Sequence, residues 1–246
     1  MLQDKEESSL EFNGQQIPFV IIHEKRRTVR VAFGSRAITL RLPSSMASFR
    51  KLQHIEKSRE WAVKQLKLKP GLLTKFFGKE YKHGQVLKVG LKSYILSFVP
   101  HTRKLNKAMI KGNLLELHLS AENKEEHLPE LIRYLISRTI ANDFFPEIEK
   151  RVHELNAQFF KRRIKEVKLK LSQTNWGSCS TQGNINLSAR LLFAPQKVID
   201  YVIIHELAHL IEHNHSQRFW DIVAKVMPDY KTYDVWLNKN SHLCDF

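Results

Sequence analysis

A chain of 246 residues that is 42% hydrophobic and 26% charged is long enough to bury one large core or two small ones. No run of eighteen apolar residues occurs, and Met1–Glu7 carries three acids and no apolar stretch, so neither a membrane span nor a secretory signal is expected and the protein reads as cytoplasmic. The net charge of +15 is uneven: residues 1–124 hold 24 Lys+Arg against 10 Asp+Glu, and residues 125–246 hold 16 against 15.

That asymmetry, with the local run Lys161-Arg162-Arg163-Ile164-Lys165, marks either an affinity for polyanions such as nucleic acid or nucleotides, or a solvated basic face. Two distant cysteines, Cys179 and Cys244, cannot build a disulfide framework or a four-cysteine zinc site and are expected as thiols.

From Ile17 to Leu42 apolar and polar residues alternate. Val29, Val31 and Phe33 precede Gly34-Ser35, and Ile38, Leu40 and Leu42 follow it, which predicts a hairpin. A helix from about Ser45 to Leu66 is expected to bury Met46, Phe49, Leu52, Ile55 and Trp61, and Pro70-Gly71 ends it. Short alternating runs at Val86–Val89, Tyr94–Val99 and Leu115–Leu119 complete a small sheet with one helix.

Near Asn123 the texture turns helical, with Leu131, Leu135, Ile136 and Ile140 on one face and Pro146 starting or kinking a continuation to about Phe160. The boundary is therefore drawn between a basic, strand-rich region, 1–124, and a second domain, 125–246. Strands follow at Val167–Leu171 and Asn184–Ser188 around a turn-rich segment, Ser172–Gly183. Pro195 opens a helix through Tyr201-Val202-Ile203-Ile204, and a last helical region spans Phe219–Leu237. No internal repeat is visible.

His205-Glu206-Leu207-Ala208-His209 has the form His-Glu-x-x-His inside that helix. Histidines four apart project from one face one turn apart, so both can reach a single zinc ion, and Glu206 beside them can take a proton from water on the metal and hand it to a leaving group. With 12 His and 18 Glu, chance yields about 0.04 such matches per chain. His153-Glu154-Leu155 repeats the first three residues without the second histidine and reads as a surface helix segment.

A catalytic zinc needs a third protein ligand and an open position. On a straight helix Glu212 and His213 climb too far from His205, so the chain must turn back. A turn at Asn214, which tolerates the left-handed conformation, brings His215 to the metal. His213 is then a neighbour, and Glu212 a residue that orients a ligand imidazole.

Trp176-Gly177-Ser178-Cys179-Ser180, Asn184-Ile185-Asn186-Leu187, Ala194-Pro195, Val198-Ile199-Asp200-Tyr201-Val202, the metal motif, and Asn214-His215-Ser216 with Phe219-Trp220 together resemble the YgjP-like metallopeptidase-domain family. That family is related to the SprT-like and WLM zinc peptidases. The specific match covers residues 175–237. The resemblance implies a zincin with His205, His209 and His215 as ligands and Glu206 as general base. The spacing to His215 is that of metzincins, but Glu212 stands where their glycine would be.

In such enzymes an edge strand before the active helix lines the cleft, and Asn184–Ser188 is the expected one, with Trp176, Cys179, Asn184 and Asn186 as cleft residues. Cys179 is weighed as a thiolate ligand and as a small packed residue, the latter preferred.

The whole is expected to be an α+β protein: a strand-rich region with one helix, then a mainly helical zincin-like domain with a short sheet. It is expected to act as a Zn2+-dependent hydrolase on peptides or proteins. Alternatives are a phosphoanhydride hydrolase acting on nucleotides, and a nucleic-acid-binding module with a structural zinc. Oligomeric state and substrate are left open by the residues.

Overall fold

A computed structural model describes residues 4–34, 37–73, 76, 79–102, 104–172 and 174–246. The protein is α+β, and its chain forms two compact units, Met1–Lys79 and Glu80–Phe246. The break lies well before 124/125, where charge and texture change.

In the first unit, strands β1 (Asp4–Phe12), β2 (Gln15–Glu24), β3 (Arg30–Phe33) and β4 (Ile38–Pro43) form one sheet in the order β1-β2-β4-β3. The expected hairpin forms between β3 and β4, with Val31 opposite Leu40 and Phe33 opposite Ile38. Gly34 N–H donates to the Ala37 carbonyl at 3.0 Å across its turn; Ser35 lies outside the described residues. Ahead of it sits a second hairpin, β1/β2, closed by Asn13 (φ 52°) and Gly14 (φ 77°). An Asn-Gly pair is the signature of a two-residue turn with both residues left-handed, so this hairpin was readable from the sequence.

Helix α1 (Ser48–Leu68) covers the sheet with Ser58, Ala62 and Leu66, spaced one turn apart. Phe49 and Leu52, expected inside, are 69% and 64% exposed. The buried face is set by the contact of the C-terminal half of α1 with Ile17, Phe19, Ile38 and Leu40. Trp61 remains at the margin, its ring 5.5 Å from that of Phe33.

The second unit opens on strands β5 (Val86–Val89), β6 (Lys92–His101), β7 (Lys107–Lys111) and β8 (Leu114–Ser120), ordered β5-β6-β8-β7. Helix α2 (Leu128–Leu155) follows and runs through Pro146 into a π-helical turn, Asn156–Phe160. Leu87, Val89, Leu96, Leu115 and Leu117 share one core with Ile132, Ile136 and Ile140 of α2. Burial thus assigns these strands to the helical unit, not to the first sheet. Both units begin with four strands and a helix in the same strand order. In each, the central pair is parallel and the outer pairs are antiparallel. This repeat of topology has no counterpart in the residue pattern.

A three-stranded sheet, β10-β11-β9, is made by β9 (Glu166–Lys170), β10 (Gly177–Cys179) and β11 (Asn184–Ser188). Against it packs α3 (Gln196–Ala208), and α4 (Gln217–Val226) and α5 (Tyr230–Asn240) close the unit. The expected single helical region 219–237 is two helices. Arg151 of α2 grips Asp200 of α3 through paired hydrogen bonds of 2.9 and 2.8 Å, and Gln196 donates to the same carboxylate at 3.0 Å. This bidentate pairing fixes the rotation of α3 about its axis. No described helix is long and apolar enough to cross a membrane.

Candidate metal centre

Helix α3 is buried nearly all round, from Val198 to Ala208, because its upstream half is an apolar run. It stops at Ala208, one residue before the second histidine. Leu210 N–H then donates to Leu207 and Ile211 N–H to Ala208 at 3.0 and 2.9 Å. These tighter bonds begin to turn the chain at residues 209–212, and it bends again at His213 and Asn214, where Ser216 N–H donates to the Asn214 carbonyl at 2.8 Å. Asn214 makes this bend without the left-handed conformation. Ser216 then caps α4, its Oγ accepting from Phe219 N–H at 3.4 Å.

The result brings His205, His209 and His215 together: one ring nitrogen from each lies within 4.8 Å of the others. His205 Nε2 and His215 Nε2 are 3.0 Å apart. His213 is outside this group and lines the adjoining wall. Beneath the three rings sits Phe219, fully buried, with centroids 4.8, 4.5 and 4.8 Å from those of His205, His209 and His215. Its rigid ring holds the imidazoles apart from the core.

His209 Nδ1 is 3.0 Å from the Glu212 carbonyl. That contact places the proton on Nδ1 and leaves Nε2 with a free lone pair. Glu212 therefore orients an imidazole, as expected, through its backbone, while its carboxylate lies 3.9 Å from Arg218. Burial, aided by the neighbouring His209 and His215, pushes His205 down to about 3, and burial also lowers His209. Both rings are neutral at pH 7, the form that binds metals. Three converging imidazoles with no acid between them fit a divalent transition metal.

Glu206 lines the same cleft as the three histidines. It is 4% exposed and burial raises it to about 8, and its Oε2 has no hydrogen-bond partner. An orphaned buried carboxylate oxygen is costly unless a ligand or ion completes it. A cleft of about 510 Å³ opens over Glu206 and the three histidines.

The match to known sequences agrees with this arrangement: the YgjP-like metallopeptidase domain matches residues 25–240. The chain belongs to that family. Membership makes it a metal-dependent peptidase by descent. The matched span takes in most of both structural units.

No curated protein matches the chain. Among solved structures it resembles the metallopeptidase zymogen abylysin of Pyrococcus abyssi, at 28% identity and a TM-score of 0.35 over 37% of this chain and 93% of that one. It also resembles the zymogen jannalysin of Methanocaldococcus jannaschii, at 17% identity and a TM-score of 0.33 over 38% and 95%.

Of the expected cleft residues, Trp176 and Cys179 line the opening; Asn184 and Asn186 do not. The reason is strand order: β11 is the central strand, and the edge is β10, hidden in a segment read as turns. Asn186 instead donates across the sheet to Ser178 Oγ at 3.1 Å, and Asn184 to Ser180 Oγ at 3.0 Å. Cys179 stays a thiol, raised to about 11 by burial and then by Glu206, and is outside the histidine group.

Among the cleft residues the sequence reading missed, two bear on the site. Tyr201, four before His205 and so on the same face, lines the cleft and shares a hydrogen bond with Asp234 at 3.3 Å. Gly177 lies against the Glu206 side chain, where an added Cβ would sit 2.5 Å from Oε1. Only glycine lets the carboxylate stand there. Gly177→Ala is expected to displace it and lower turnover about a hundredfold while metal content stays at one per chain. A wild-type rate in that variant would show that β10 does not set the carboxylate position.

Proposed function

We propose that the chain is a zinc peptidase in which His205, His209 and His215 hold the ion and Glu206 is the general base. The observation that carries this is the convergence of three imidazoles beside a buried carboxylate with an unpartnered oxygen. Bound zinc supplies a Lewis acid that makes water a nucleophile near neutral pH. Glu206 accepts the proton of the attacking water and delivers it to the leaving amine. Its burial favours the protonated form, and a cation among the imidazoles favours the ionised one. It is thereby poised between the two states that the reaction needs.

The edge strand β10 supports an extended substrate. Residues Trp176–Cys179 border the cleft and pair with β11 on one side only, so a peptide can add as a further strand. Tyr201, whose hydroxyl burial keeps protonated and which donates to Asp234 at 3.3 Å, also lines the cleft. A purely structural zinc would have no use for a buried acid beside it. Nor is the basic character gathered in one binding region: residues 1–79 carry net +9 and residues 80–246 net +6.

A parallel screen tests the reading. Zinc-loaded protein is expected to cleave members of a peptide pool and to leave nucleoside triphosphates intact, with cleavage abolished by a chelator. Phosphate release from nucleotides without peptide cleavage would replace the peptidase with a phosphoanhydride hydrolase.

A further inference from the structure

A second cavity, of about 460 Å³, adjoins the cleft, and His213 lines both. Its charged lining is Arg162, Arg163 and Lys165, with no carboxylate. Neither guanidinium is engaged by a described residue, and Lys165 Nζ donates only to the neutral Gln182 Oε1, at 2.9 Å. The nearest acids in sequence are already engaged, Glu166 with Lys168 at 2.6 Å and Glu212 with Arg218 at 3.9 Å. These three exposed cations face one space and make it electropositive, which favours an anion there.

The backbone that carries them is fixed. Asn156 Nδ2 donates to the Arg162 carbonyl at 2.8 Å and Arg162 N–H donates back to Asn156 Oδ1 at 3.1 Å. Lys165 N–H donates to the Gly183 carbonyl at 2.9 Å, which ties the basic segment to the turn joining β10 to β11. Thr181, Gln182 and Gly183 of that turn line the cavity, so the far end of β10 leads to it.

We infer that this cavity is an acidic subsite: it takes a carboxylate of the peptide substrate while the scissile bond lies among the three histidines. The inference rests on the peptidase reading and specifies its substrate class. The carboxylate can come from an Asp or Glu side chain or from the free C-terminus of the peptide. Guanidinium pairs suit it because their planar forks match a carboxylate.

The test uses zinc-loaded Glu206→Gln protein and amidated peptides that differ only by Glu or Gln, stepped through positions on either side of the cleavage point. A Gln peptide with a free C-terminus forms the second arm. Glu at one position, or the free terminus, is expected to tighten binding about fivefold, the upper range for a partly open ion pair. The gain is expected to shrink at high salt and to fall toward one in Arg162→Ala/Arg163→Ala. The same pairs given to wild-type protein should show the same ratio in kcat/KM.

Equal binding of Glu, Gln and free-terminus peptides, or a preference that survives the double substitution, would overturn the subsite. Cleavage of no peptide by zinc-loaded wild type would instead overturn the peptidase reading, and with it the assignment of the carboxylate to a substrate.

Discussion

Glu206→Gln is expected to lower peptide turnover by about a thousandfold, within the range that a positioned proton acceptor contributes, and to leave the metal in place. The substitution keeps shape and volume and removes only basicity. It is well tolerated structurally, because the pocket already disfavours charge: the carboxylate is buried and raised to about 8. A neutral amide in that position relieves burial of a charge, so thermal stability of the metal-free protein at pH 7 to 9 is expected to hold or rise. The sign follows from the raised value. Protonated Glu206 stabilises the fold below the unfolded carboxyl range, and that contribution is lost as the pH rises through about 8. Loss of activity with retained metal and retained fold is thus the signature of a missing base. Turnover in the variant equal to wild type, at equal metal content, would remove Glu206 from the mechanism.

The metal motif was legible because its chemistry is local. Two histidines one helical turn apart and an intervening acid need only a helix, and the apolar run before them guarantees one. The third histidine was legible in identity, though the chain begins to turn already at residues 209–212 through short-range bonds and bends at Asn214 without the left-handed conformation. What stayed hidden was set by long-range pairing. β10 is three residues of Gly, Ser and Cys, with no apolar alternation to announce a strand. Its pairing with β11 is what makes Trp176–Cys179 the cleft edge and moves Asn184 and Asn186 away from it. Gly177 matters only because Glu206, 29 positions downstream, comes to rest against it.

The same distinction explains the domain boundary. Alternation revealed β5, β6 and β8, but alternation does not say which core a strand joins. Their inward residues meet Ile132, Ile136 and Ile140, a pairing that depends on α2 folding back over the sheet. On α1 the apolar residues Phe49 and Leu52 lie at helical spacing yet remain exposed, while Ser58 and Ala62 face inward. Small residues there let the helix approach the sheet closely, a requirement of packing that periodicity of apolar residues does not register.

The second large effect concerns the ligand set. His215→Ala is expected to lower zinc affinity by about three orders of magnitude, because it removes one of three bonds from protein to metal. His213→Ala removes a residue of the wall outside the histidine group and is expected to change affinity by less than about tenfold. The contrast between two histidines two residues apart isolates coordination from local charge and from disturbance of the chain. Ser216 keeps the segment in place in both variants, through the cap of α4. Zinc retained after dialysis against a graded series of chelator concentrations, with folding followed by circular dichroism, measures this directly. One zinc per chain in wild type and His213→Ala, with zinc lost from His215→Ala at far lower chelator, is the predicted result. Metal held by His215→Ala as tightly as by wild type would contradict the three-histidine site.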